Sequence, residues 1–68
     1  MLNIFLILKK INLINELSVI ESQISFISEM FYKHIHLKKQ LVIIKKELNT
    51  EKQKLDNKLN AITLLLEK

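Results

Sequence analysis

The sequence predicts an all-α protein, either one long amphipathic helix or an antiparallel helical hairpin, whose apolar stripe forms a coiled coil. Three observations carry this expectation. The 68 residues contain neither glycine nor proline, the two residues that punctuate a chain with turns. Every seventh residue from Leu6 forms a row, Leu6, Leu13, Ile20, Ile27, His34, Leu41, Leu48, Leu55 and Ile62, apolar everywhere except at His34. A second row, four residues on, supplies Leu17, Ile24 and Phe31, then Leu59 and Leu66. The two rows alternate steps of four and three over residues 13–31 and again over 55–66, which is the d and a pattern of a heptad.

Residues 1–10 form an apolar N-terminal segment. The run from Leu2 to Leu8 is closed by Lys9 and Lys10. It is too short to cross a bilayer, which takes about 20 residues. It also lacks the basic n-region of a signal peptide, because its charge follows the apolar stretch. The expectation is a helix end that packs on a partner. A shallow membrane-surface contact through residues 2–8, helped by the flanking lysines, is the alternative.

Residues 11–68 read as the coiled-coil helix or helices. In their middle, row a changes character and carries Lys38, Lys45 and Lys52, while the apolar seam moves sideways to Met30, Leu37 and Ile44, beside Leu41 and Leu48. A drifting seam signals a change of partner face or of supercoil. Lysine is costly to bury, so these three are expected to extend their ammonium groups to water or to meet carboxylates.

Two places suggest a break. At 32–36 aromatic and β-branched residues crowd and the seam changes phase. At 49–50, Thr50-Glu51-Lys52-Gln53 fits a capping box that would start a new helix. Row d passes through both without losing register, which favours a continuous helix, about 100 Å long at 1.5 Å per residue. Such a helix must pair to cover its stripe. Local charges do not decide the matter. Glu29 with Lys33 and Glu51 with Lys54 are favourable, whereas Glu47 with Glu51 and Lys54 with Lys58 oppose them. Helix stability therefore comes from burying the stripe.

Composition narrows function. Without cysteine there is no disulfide framework, no thiolate zinc site and no thiol nucleophile. Without glycine there is no phosphate-cradling loop. A chain this short buries limited surface, and oligomerisation or docking is the usual remedy. At 49% hydrophobic it is too apolar for a disordered tail. The net charge is +4 and every one of the eleven cations is lysine. Arginine does most bidentate reading of bases and phosphates, so its absence argues against sequence-specific nucleic-acid recognition. The same absence has a second source. Ile, Lys and Asn are written with AT-rich codons, and Gly, Pro, Ala and most Arg codons are GC-rich, so an AT-biased genome would produce this composition and weaken that argument.

No side chain suggests chemistry. His34 and His36, two steps apart, would sit about 200° apart on a helix and could not share a metal there. They read as seam or solvent histidines, and His34 in the seam would make pairing sensitive to pH. Ser18, Ser22, Ser25 and Ser28 read as a polar face, and the seven carboxylates offer no acid–base pair in a pocket. The expectation is no enzyme activity, no cofactor and no metal. The expected partner contacts are Leu13, Leu17, Ile20, Ile24, Ile27, Phe31, Leu41, Leu48, Leu55, Leu59, Ile62 and Leu66, with Lys38, Lys45 and Lys52 as a basic patch. Lysines crowd residues 33–58, but only Tyr32 could stack on bases there. The expected partner is a second copy or another helical protein. An acidic protein surface suits the lysines, and nucleic acid is disfavoured.

At the C-terminus, Lys58-Leu59-Asn60-Ala61-Ile62 followed by Leu65, Glu67 and Lys68 resembles the second helix of the flagellar export FliJ family. The neighbourhood of Lys33, His34 and Gln40 can be laid on the same helix. The resemblance implies a basic antiparallel coiled coil at the cytoplasmic base of a type III export apparatus, inserted as a stalk into the export ATPase ring and touching the export gate and chaperones. Family members are longer, so it implies a truncated copy. The expected function is thus a non-enzymatic coiled-coil interaction protein of the cytoplasm, peripheral to a membrane if residues 2–8 touch one. The rivals are a small basic helical subunit of a nucleic-acid complex, a peripheral membrane protein, and a reading frame whose helicity reflects codon bias alone.

Overall fold

A computed structural model describes residues 3–67, so Leu2 of the apolar segment and Lys68 of the C-terminal motif lie outside the described residues. Two α-helices, α1 (Ile4–Lys33) and α2 (Lys38–Leu66), are joined by a single 3₁₀ turn at Ile35–Leu37. They run antiparallel as a hairpin measuring 55 × 14 × 13 Å. That is about half the length of a continuous 68-residue helix at 1.5 Å per residue.

α1 starts where Asn3, in extended backbone, accepts a 3.3 Å hydrogen bond from the Leu6 N–H through its Oδ1. This satisfies one of the donors left free at a helix start. The helix ends at His34, whose ψ of 67° leaves the α region while its N–H still reaches the Met30 carbonyl at 2.8 Å. The His34 carbonyl then accepts from the Leu37 N–H at 2.9 Å, closing the turn. α2 ends with the Glu67 N–H on the Thr63 carbonyl, 3.1 Å away.

The hairpin departs from the continuous helix that the unbroken register favoured. No described residue has positive φ, so the turn needs no glycine. One residue leaves the α region and three tighten into a 3₁₀ turn, which any side chain tolerates. Register along row d survives because the row meets itself across the hairpin. Asn49 and Thr50 lie inside α2, and the Thr50 hydroxyl donates to the Lys46 carbonyl at 3.0 Å instead of capping a new helix.

The buried side chains lie between the two helices and are all apolar. Leu13 and Leu17 of α1 cluster with Leu55 and Ile62 of α2, and Leu6, Ile20, Leu59 and Leu66 pack around them. All eight belong to rows a and d. Leu41, near the turn, is also buried but stands outside this cluster. No polar or charged side chain is buried among the described residues. Removing each of these side chains from water contributes about 1.5–3 kcal/mol, which makes the open end of the hairpin its strongest part.

Candidate interaction surface

The residues expected to contact a partner are directed at each other. Leu13, Leu17, Leu41, Leu55 and Ile62 are buried, and Ile20, Ile24, Ile27, Phe31, Leu48, Leu59 and Leu66 are half-buried along the line where α1 faces α2. Within one chain the two rows serve the hairpin itself.

The three row-a lysines differ from one another. Lys38 is exposed beside the turn. Lys45 is half-buried and holds its Nζ 5.9 Å from the centre of the Phe31 ring, within reach of the ring's negative face. Lys52, also half-buried, points its Nζ at Glu21 of α1, 3.9 Å away. Glu21 and Lys52 remain substantially exposed, so the pair is screened and contributes at most about 1 kcal/mol. Two further pairs are local, Lys33 with Glu29 at 2.9 Å and Lys54 with Glu51 at 3.7 Å. Lys45 and Lys52 thus face α1, and Lys38, Lys39, Lys46 and Lys58 form the outward charge.

His34 and His36 do not sit on an α-helix. The turn brings their rings edge to face, 5.8 Å between centroids and 80° between planes, so the 200° separation of a helix does not apply to them. Among the described residues no group of three His, Cys, Asp or Glu side chains could hold a metal ion.

The hairpin cannot cover all the apolar residues it carries. At its open end Ile4, Phe5 and Leu8 are 64%, 85% and 53% exposed. Leu64 and Leu65 add to this from α2, and Ile35, Val42 and Ile43 do the same near the turn. Along one side, Val19, Phe26 and Ile27 of α1 and Ile44 and Leu48 of α2 line an open groove of about 550 Å³, with Ser18, Ser22 and Gln23 at its rim. Scattered exposed apolar side chains are ordinary, whereas contiguous ones mark interaction sites. Reading rows a and d alone missed this outer surface beyond residues 2–8. Its signal was the apolar residues outside those rows, such as Val19, Phe26, Val42, Ile43, Leu64 and Leu65.

The class defined by this architecture is a two-helix hairpin with an apolar interior and an apolar outer surface. No protein-family model, curated protein or solved structure matches the chain.

Proposed function

We propose that the chain is a non-enzymatic interaction protein, a helical hairpin of coiled-coil type whose outer apolar surface docks on a second copy or on another helical protein. One observation carries this reading: the interior is already filled by rows a and d, yet large apolar side chains at both ends and along one groove stay in water. Covering them stabilises the hairpin, in keeping with the need of small scaffolds for a partner. The outward lysines suit an acidic protein surface beside the apolar contact. The C-terminal resemblance narrows the setting to a FliJ-like component of a flagellar or type III export apparatus in the cytoplasm. In α2, Leu59 and Ile62 of the motif pack inward, while Lys58, Ala61 and Leu65 remain exposed for a partner.

Sedimentation velocity combined with circular dichroism tests the reading. A helical chain that forms a discrete complex, with itself or with an export ATPase, is expected. A weakly helical chain that stays monomeric alone and beside that ATPase refutes it.

A second reading has its own observation. Ile4, Phe5 and Leu8 are exposed next to Lys9, the composition of a membrane-surface contact. No helix among the described residues is long and apolar enough to cross a membrane. Co-sedimentation with anionic vesicles, lost on Leu8→Glu, distinguishes this reading from protein docking.

A further inference from the structure

We propose that a second copy of this chain docks on the first three turns of α1 through Ile4, Ile7, Ile11 and Ile14, in a two-fold contact between antiparallel α1 helices. The proposal rests on the docking reading above and extends it by naming the occupant and the seam.

The four isoleucines form a second heptad row. Each stands one residue past a position of rows a and d, which at 3.6 residues per turn rotates it by about 100° around the helix. One side of α1 therefore meets α2 while the adjacent side presents isoleucine at steps of three, four and three. Ile4, Ile11 and Ile14 are 64%, 49% and 47% exposed, and Ile7 is half-buried. A helix with two apolar seams about a quarter-turn apart is what a bundle corner requires.

The spacing suits a second copy. Steps of three, four and three read the same in both directions, so the row is complementary to itself under a two-fold axis, as a symmetric dimer demands. Ile4 then lies opposite Ile14 of the second copy, and Ile7 opposite Ile11. The row carries no charge, and Lys9 projects from the opposite side of the helix. Beyond Ile14 the same side becomes Ser18, Glu21, Ser25 and Ser28, which confines the contact to the open end and disfavours a parallel pairing that would bring two Glu21 side chains together. The surface area agrees. The chain exposes 5651 Å², about 1,150 Å² more than a compact monomer of its mass. Docking a second copy takes part of that excess out of water, toward the about 800 Å² that a standard interface removes from each partner.

Sedimentation equilibrium with parallel circular dichroism is the test. The full chain is expected to dimerise, Ile11→Glu to weaken the dimer at least about a hundredfold while keeping its helicity, and Asn12→Glu, exposed about 120° around α1 from the row, to leave it unchanged. A dimer indifferent to Ile11→Glu overturns the proposal. So does a chain that is helical and monomeric at every concentration, although that outcome leaves docking on a different protein standing, or on a membrane if the monomer binds anionic vesicles through the same isoleucines. Loss of helicity in the unaltered chain defeats the docking reading itself. Orientation has a separate readout. The chain has no native cysteine, so Ile4→Cys mixed with Ile14→Cys is expected to give the mixed disulfide, and Ile4→Cys linking to itself instead overturns the antiparallel contact.

Discussion

Truncating Leu55 tests the interior directly. Leu55 is 7% exposed and lies against Leu13, Leu17 and Ile62. Leu55→Ala removes three carbons from that cluster, at about 0.8 kcal/mol each. The cavity contribution is small, because an interface between only two helices is open along both flanks and its neighbours can close in. The loss is therefore about 2.5 kcal/mol, near the lower end of the 2–5 kcal/mol range for buried leucine. A 68-residue domain has about 3–10 kcal/mol in all, so this one change removes a large share. With a shift of about 4–8 °C per kcal/mol for domains of this size, the melting midpoint should fall by about 10–20 °C. Thermal and urea unfolding followed by circular dichroism at 222 nm measures it, at one fixed chain concentration because association would shift the midpoint. Leu64→Ala, at a site 62% exposed, is the control and should change stability by less than about 0.5 kcal/mol. Equal effects at the two sites would mean that α1 and α2 do not pair along rows a and d.

Three further outcomes follow from the same geometry. Spin labels at Asn12→Cys and Ala61→Cys should lie within about 25 Å, since paired helices sit 8–10 Å apart, and a separation near 75 Å would restore the continuous helix. Thr50→Ala should be neutral or slightly stabilising in urea unfolding, because the Thr50 hydroxyl bonds back to the Lys46 carbonyl within α2. A loss of about 1 kcal/mol would instead identify a helix cap there. Lys52→Leu should raise stability by about 1 kcal/mol, since a half-buried row-a leucine adds apolar contact and the exposed pair with Glu21 contributes little, and a lower urea midpoint would show that the ion pair matters more than packing.

Helical character and the pairing rows were legible because heptad spacing reports burial directly. Leu6, Leu13, Leu17, Leu55, Leu59, Ile62 and Leu66 follow from periodicity, and the same residues meet in the core. The hairpin was not legible from register. A row that continues through a turn looks identical whether its two halves lie end to end or side by side, and a 3₁₀ connection at Ile35–Leu37 leaves no glycine or proline to mark it. The local signals at Tyr32–His36, crowded side chains and a drifting seam, carried information that the unbroken row d obscured. The placement of Lys45 over Phe31 and of Lys52 toward Glu21 depends on which helix faces which, and only the turn determines that. The isoleucines at 4, 7, 11 and 14 were visible in the sequence but read as part of an apolar end, because a second seam acquires meaning only after the first has been assigned to the hairpin.

That order of assignment governs what the composition means. A two-helix interface can receive one stripe from each helix, and in this chain rows a and d fill it with leucine and isoleucine at the open end, while toward the turn row a of α2 carries lysine opposite apolar residues of α1. The lysines of row a thin the apolar packing there, leaving Lys45 and Lys52 to cover it with their aliphatic stems. Any apolar residue beyond those rows has no place inside one hairpin. Mutational pressure toward AT-rich codons would account for isoleucine and lysine being abundant. It does not account for α1 keeping its isoleucines in step over three turns and then changing to serine on the same side at Ser18, a pattern that gives one end of the hairpin a defined apolar seam and the remainder of that side a polar one. A second copy docked on that seam would sit at the open end, where the interior is also best packed, and the apolar side chains near the turn would stay in water.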